Sequence, residues 1–278
     1  MRFTKMQGIG NDYIYVNCFK ENVPDPESVS IKVSDRHFGI GGDGLVLIMP
    51  SDKADFRMRM FNADGSEGMM CGNASRCIGK YVYDKGLTDK TDITLETKSG
   101  IKKLHLNPEN GKVKTVEVDM GEAILKPRDI PMNADGDSFV NKPVAVDGKE
   151  QNITAVSMGN PHAVIFTVSI DKLDLEKIGP SYENHPLFPK RVNTEFCEVI
   201  DSRTLKMRVW ERGSGETWAC GTGACATAVA AVLNGFCKRD EEITLKLRGG
   251  DLKITYRSDN HVIMCGEAET VFEGEINL

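Results

Sequence analysis

Several features that common function classes depend on are missing from this sequence. It carries eight cysteines but no Cys-x-x-Cys pair, which excludes a zinc ribbon and a thioredoxin-type redox site, because both need two sulfurs at that spacing. No apolar run is long enough to cross a bilayer: the longest, "ACATAVAAVL" at 224–233, is about half of the roughly 20 residues required. The opening "MRFTKMQGIGNDYIYV" has no apolar core of signal-peptide length. Positive charge is not in excess either. A net charge of −6 and a pI near 5.5 argue against nucleic acid and anionic membranes as partners, since neither phosphate neutralisation nor a basic anchor is on offer. A small-molecule partner and a cytoplasmic setting are expected, where a chain this long needs no disulfide framework.

What the chain does have is an internal repeat. "FRMRMFNADGSEGMMCGNASRC" (56–77) aligns with "LKMRVWERGSGETWACGTGACA" (205–226) at a constant spacing of 149 residues. Met58 meets Met207, Arg59 meets Arg208, Phe61 meets Trp210, Glu67 meets Glu216, and Cys71-Gly72 meets Cys220-Gly221. The same spacing pairs Gly10-Asn11 with Gly159-Asn160 and Gly86 with Gly235. With small shifts, "DITLETKSG" (92–100) matches "EITLKLRGG" (242–250), and "VDMGEA" (118–123) matches "IMCGEA" (263–268). The reading is an α+β unit built twice. Each copy has a strand near its Gly-Asn, a strand before the cysteine loop, and a helix after it (72–84 and 221–235) stopped by Gly86 or Gly235. Each then closes on an antiparallel strand pair. The expected domains are 1–120, completed by 267–278, and 121–266; the Pro-, Asp- and Gly-rich stretch 124–149 reads as the connection between them.

A cysteine at each helix start is the chemically informative feature. Unpaired backbone N–H groups and the positive end of the helix dipole favour thiolate over thiol and attract anions. In a pseudo-symmetric pair, Cys71 and Cys220 are expected to meet from opposite sides of one pocket. Two acid/base groups flanking one carbon are what inversion of a stereocentre needs: one thiolate removes the α-proton and the other thiol supplies a new one. The other six cysteines, Cys18, Cys77, Cys197, Cys225, Cys237 and Cys265, read as buried and inert.

Rival readings fit less of the sequence. "GIGGDG" (39–44) satisfies G-x-G-x-x-G, but no strand precedes it and no helix follows, so the dinucleotide context is absent. A Cys-His hydrolase using Cys220 and His162 leaves Cys71 unexplained. A redox module storing a Cys71–Cys220 disulfide predicts an active oxidised form, the reverse of what a two-thiol epimerase predicts.

The motifs "GNDY" (10–13), "FNADGSE" (61–67), "CGNASRC" (71–77), "MGNPHAV" (158–164), "RVN" (191–193) and "GSGETWACGTGACA" (213–226) closely resemble, in the same order, those of the diaminopimelate epimerase family. The resemblance runs from about residue 3 to the end. It implies two similar domains with a central helix each, a closed cleft between them holding the active site, a homodimer, and epimerisation of LL- to meso-diaminopimelate for lysine and cell-wall biosynthesis. No cofactor and no metal take part in that reaction. A racemase of another amino acid on the same scaffold is the alternative.

Carried over by position, Cys71 and Cys220 resemble the two acid/base thiols. Gly72-Asn73 and Gly221-Thr222 resemble the helix-start groups on the reacting carboxylate. Asn11, Asn62, Asn160, Asn193 and the Glu211-Arg212 pair resemble the groups that hold the substrate's amine and its distal end, and His162 and Glu211 match positions that tune the thiols. The repeat itself supports the division, because Asn62 faces Glu211, Ala63 faces Arg212 and Gly44 faces Asn193. A substrate with unlike ends needs unlike sides, and an arginine is the natural clamp for a second carboxylate. Three positions depart from the family pattern: Ala74 stands at a usual glycine, Gly44 where some members carry an amide, and Phe272 where some use a tyrosine at the dimer contact.

Overall fold

The computed structural model describes residues 1–278. They divide into two compact units, 1–119 with 265–278, and 120–264. In chain order the first contains β1 (Arg2–Gly8), β2 (Asn11–Asn17), α1 (Pro26–Ser34), β3 (Gly44–Met49), β4 (Phe56–Asn62), β5 (Glu67–Gly68), α2 (Gly72–Asp84), β6 (Asp92–Thr97), β7 (Gly100–Glu109) and β8 (Lys112–Glu122). Then come β9 (Lys142–Val146), β10 (Lys149–Ser157), β11 (Pro161–Phe166), α3 (Leu175–Glu183), β12 (Asn193–Asp201), β13 (Thr204–Glu211) and β14 (Gly215–Thr217). The chain ends with α4 (Gly221–Leu233), β15 (Glu242–Leu247), β16 (Gly250–Tyr256), β17 (His261–Glu267) and β18 (Glu269–Glu275). The last of these pairs antiparallel with β1, matching Arg2 to Glu275.

The repeat is legible in the strand register. β2 runs parallel to β3 with Tyr13 opposite Gly44, and β11 runs parallel to β12 with His162 opposite Asn193. Those residues are the same pairs, 149 positions apart. Antiparallel pairing dominates elsewhere, apart from a second parallel step at β4–β6 and its equivalent at β13–β15.

Each unit has its own core. In the first, Ile14, Val16, Leu45, Leu47 and Phe61 pack with Val33 of α1. α2 lies against β1 and β7, burying Ala74, Cys77, Ile78 and Val82. In the second, α4 is buried almost all round, from Gly221 through Ala231, against β10, β11, β12 and β16. Small side chains such as Ala224, Ala226, Ala228, Ala230 and Ala231 let the strands approach it closely, and a helix apolar on every side is stable only when enclosed. Both helices stop where a left-handed residue is needed: Gly86 has φ +69° and Gly235 φ +78°. The second helix ends at Leu233, two residues short of the span read from sequence.

Two expectations need correction. The stretch 124–149 is more than a connection: Ile130, Met132, Phe139, Val144 and Val146 join the core of the second unit, and β9 pairs with β10. Its Pro, Asp and Gly residues punctuate short elements, each supplying one or two apolar anchors. The closing strand pair of the first copy is also really a meander, because β7 stands between β6 and β8 and buries Leu104 and Leu106.

Candidate active site

Cys71 caps α2. It holds extended dihedrals (φ −134°, ψ 122°), and its sulfur accepts the Ala74 N–H at 3.5 Å, the place usually taken by a serine or aspartate oxygen. Asn11, at the start of β2, turns its Oδ1 toward the sulfur (3.5 Å) and toward Nδ2 of Asn73 (3.2 Å). The orientation of that amide is set from behind, since Asn11 Nδ2 donates to Asp43 at 2.6 Å. Asp43 in turn accepts the Asp12 N–H and shares Arg36 with Asp12, which also pairs with Lys5. Burial pushes the Asp43 carboxyl up, and the neighbouring Asp12 charge adds to that. Burial would also raise Asp12, but hydrogen bonds from Arg36 and Lys5 hold it below the ordinary range.

Cys220 caps α4 in the same way (φ −120°, ψ 107°), accepting from Gly223 N at 3.4 Å. Its surroundings differ. The Thr222 hydroxyl lies 3.5 Å from the sulfur and 3.3 Å from Asn160 Nδ2, while Asn160 Oδ1 faces His162 Nε2 at 3.1 Å. The other ring nitrogen, Nδ1, is 2.7 Å from Glu195 Oε1, and both of these side chains are completely buried. Burial pushes the Cys220 thiol well above its usual range, and Glu211 and Glu195 add to the effect, against smaller pulls from Thr222 and the Gly223 N–H. Sequence reasoning weighed the helix start as favouring thiolate. Here desolvation wins, because Cys220 is only 6% exposed. Burial likewise raises the Glu211 carboxyl, which accepts from the Thr217 hydroxyl.

The loop before each cysteine is fastened identically. Arg59 Nε lies 2.8 Å from Glu67, and Arg208 Nε lies 2.8 Å from Glu216, each pair making a second bond through Nη2. Lys98 joins the first pair and Arg248 the second. These repeat partners clamp β5 to β4 and β14 to β13, which fixes where the chain enters each helix.

The other residues singled out in sequence divide between the two units. Asn193 is buried at the start of β12 and accepts the Arg212 N–H at 2.8 Å, so Asn193, Glu211 and Arg212 lie together. The Arg212 guanidinium donates to the Lys190 carbonyl at 3.0 Å in an exposed bond. Asn62 is exposed and donates to Ser66, away from the Asn11–Asn73 cluster. Gly72 and Gly221 open the two helices and are buried. Phe272 on β18 is 46% exposed and meets Phe3 edge-on at 5.8 Å. Sequence reasoning missed Asp43 and Glu195. Asp43 sits within the "GIGGDG" stretch that was weighed only as a nucleotide loop. No group of acidic, His and Cys side chains is arranged to hold a metal ion, and no helix is long and apolar enough to cross a membrane.

A family model described as diaminopimelate epimerase matches residues 3–126 and 154–271. A diaminopimelate epimerase of Acetivibrio thermocellus is 64% identical over 279 residues, covering 100% of this chain and 99% of that protein. The chain belongs to the diaminopimelate epimerase family. Another diaminopimelate epimerase, from Agathobacter rectalis, is 58% identical with full coverage of both chains. The fold is shared more widely: the crystal structure of a hydroxyproline epimerase from Agrobacterium vitis matches with a TM-score of 0.73 at 14% identity, over 99% of this chain and 90% of that one.

Two departures from the diaminopimelate epimerase pattern have physical reasons. No side chain fits at position 44, because a Cβ there would lie 2.0 Å from the Phe61 carbonyl oxygen and 2.9 Å from the Tyr13 ring. Ala74 is tolerated because its repeat partner, Gly223, is the crowded one: a Cβ on Gly223 would lie 2.6 Å from Glu195 Oε1, whereas the residue equivalent to Glu195 in the first unit is Val46.

Proposed function

We infer that this chain epimerises diaminopimelate, converting the LL to the meso form without pyridoxal phosphate, in the biosynthesis of lysine and peptidoglycan precursors. The observation that carries the reading is the recurrence of one constellation, a cysteine as helix N-cap behind an Arg–Glu-clamped loop, in both copies of a duplicated unit that matches this family over nearly its whole length.

In the proposed reaction Cys71 and Cys220 act on opposite faces of the α-carbon. One sulfur, as thiolate, takes the α-proton, and the electron pair left on carbon delocalises into the carboxylate. The other sulfur gives up its S–H proton to the far face, and the roles exchange in the reverse direction. Backbone N–H groups at Gly72-Asn73 and Gly221-Thr222 stabilise the charge building on the carboxylate, which is the purpose of placing each thiol at a helix start. Asn11, Asn62, Asn160, Asn193, Glu211 and Arg212 hold the rest of the substrate, and His162 with Glu211 tunes the thiols. The protein is proposed to work in the cytoplasm, in keeping with eight free cysteines, and as a homodimer using the exposed Val271 and Phe272 of β18.

Isotope incorporation tests the two-thiol reaction. In D₂O, product formed early from LL-diaminopimelate is expected to carry deuterium at the inverted carbon while unreacted substrate keeps protium. Substantial protium in first-turnover product means a single base and overturns the mechanism. Cys71→Ala and Cys220→Ala should each abolish inversion in both directions. Proline, histidine and glutamate run beside diaminopimelate on a chiral column test the substrate, and preferential turnover of any of them would replace this reading by the racemase alternative.

A further inference from the structure

The hydrogen bonds behind Cys220 admit a proton count. The atoms form a chain: Glu195 Oε1, His162 Nδ1 and Nε2, Asn160 Oδ1 and Nδ2, Thr222 Oγ1, Cys220 Sγ. An amide oxygen only accepts, so the 3.1 Å contact between Asn160 Oδ1 and His162 Nε2 requires a proton on Nε2. The 2.7 Å contact at Nδ1 requires a second proton between ring and carboxyl. The pair therefore holds both protons and is neutral, as imidazolium with carboxylate or as imidazole with carboxylic acid. Glu195 Oε2 points the same way: it is buried with no hydrogen-bond partner, a place where a bare, uncompensated carboxylate would be costly.

The consequence reaches the sulfur. With Nε2–H holding Oδ1, Asn160 presents Nδ2 to Thr222, whose oxygen accepts that bond and is left to aim its own proton at Cys220. Were the pair to lose a proton, a neutral ring donating from Nδ1 to the carboxylate would leave Nε2 bare. Asn160 would then turn over, and Thr222 would donate to its oxygen instead of to sulfur.

We propose that Glu195 is a positioning residue for Cys220: by keeping one shared proton on His162 it fixes the Asn160 amide and directs the Thr222 hydroxyl as a donor to the Cys220 thiolate. The first half of the molecule has no such device. The equivalents of His162 and Glu195 are Tyr13 and Val46, and Asn11 is held the other way round by Asp43, with its oxygen toward Cys71. Glu195 thus serves one thiol only. The proposal rests on the epimerase reading for its purpose, but its geometry concerns the free protein and is testable without substrate.

Two measurements on the full chain decide it. With only five histidines present, ¹⁵N-histidine labelling and a His162→Gln reference assign the His162 signals; Nε2 is expected to be protonated, and a bare Nε2 with the proton on Nδ1 overturns the proposal. The second measurement is the rate of iodoacetamide alkylation at each cysteine, read by mass spectrometry. Glu195→Gln keeps a donor for Nδ1 and is expected to alkylate at Cys220 within about threefold of wild type. Glu195→Leu takes away the partner of Nδ1, so the ring is no longer pinned with Nε2–H on Asn160 Oδ1, and is expected to slow Cys220 by about ten- to a hundredfold, the scale of a charge-assisted hydrogen bond, with Cys71 unchanged as the internal reference for folding. Loss in both variants alike, or no loss in Glu195→Leu, overturns the proposal. If Leu slows Cys220 while Gln restores both alkylation and turnover of diaminopimelate, both readings stand; if alkylation follows the pattern but no diaminopimelate is turned over, only the functional reading falls.

Discussion

At the scale of the residue, Cys71 and Cys220 cap their helices alike and differ in the side chains that face the sulfur. Cys71 faces an amide oxygen oriented by a carboxylate, and Cys220 faces a hydroxyl oriented through an amide by a buried histidine. The cysteines were legible in sequence because a repeat exposes what recurs. Arg212 stands out in sequence for the opposite reason, since its repeat partner is Ala63. Its guanidinium makes one bond, to the Lys190 carbonyl. Arg212→Met is expected to lower kcat/KM for diaminopimelate ten- to a hundredfold, about 1.5–3 kcal/mol, with little change in melting temperature. Normal turnover by that variant would remove Arg212 from the substrate site. Glu195 was not legible. β12 is buried on both faces through its first five residues, so strand alternation could not mark the glutamate as pointing inward, and its repeat partner is a valine.

At the scale of the element, a helix start has no room for a side chain in one copy and encloses one in the other. Gly223 lies against Glu195 and the Cys220 sulfur, the latter 3.2 Å from where its Cβ would be, whereas Ala74 already carries a Cβ at the matching position. Gly223→Ala is therefore expected to cost about 1–3 kcal/mol through overpacking against an enclosed carboxylate. The reverse change in the other copy, Ala74→Gly, should cost no more than about 1 kcal/mol, from helix propensity alone. Urea unfolding of the two variants compares them, and equal losses would show that the asymmetry has no energetic weight. Both helices were legible from a capping cysteine and a terminal glycine, which are local signals. β7 and the 124–149 stretch were not, because their contributions to the cores are isolated residues, Leu104 and Leu106 among lysines, Phe139 and Ile130 among turn formers, whose partners lie far away in sequence.

At the scale of the whole molecule, buried thiols tie stability to alkaline pH. Cys77 is completely buried on α2, and that burial pushes it up to about 11, against smaller opposing pulls from Tyr15 and Arg76. An unfolded cysteine ionises near about 8.5. Between these values the unfolded chain releases a proton that the folded chain keeps, so the contribution is whole below about 8.5 and is lost as pH rises toward 11. Across that window the stability of wild type should fall more steeply than that of Cys77→Ala, by about 1.4 kcal/mol per pH unit, in urea melts at successive pH values. Parallel slopes would show that the thiol is not held protonated. The pairing of β1 with β18, reinforced by the Met1 ammonium on the Ile276 carbonyl at 2.8 Å, has a consequence in time as well as in space. A ribosome makes residues 1–119 before 120–264, yet the strand that completes the first unit is made only after the second, which forms one unbroken length. The later-made unit needs no segment from beyond its own length. The earlier-made one waits at its open edge, with Phe3 uncovered, until Gly274 and Phe272 are made and close over it.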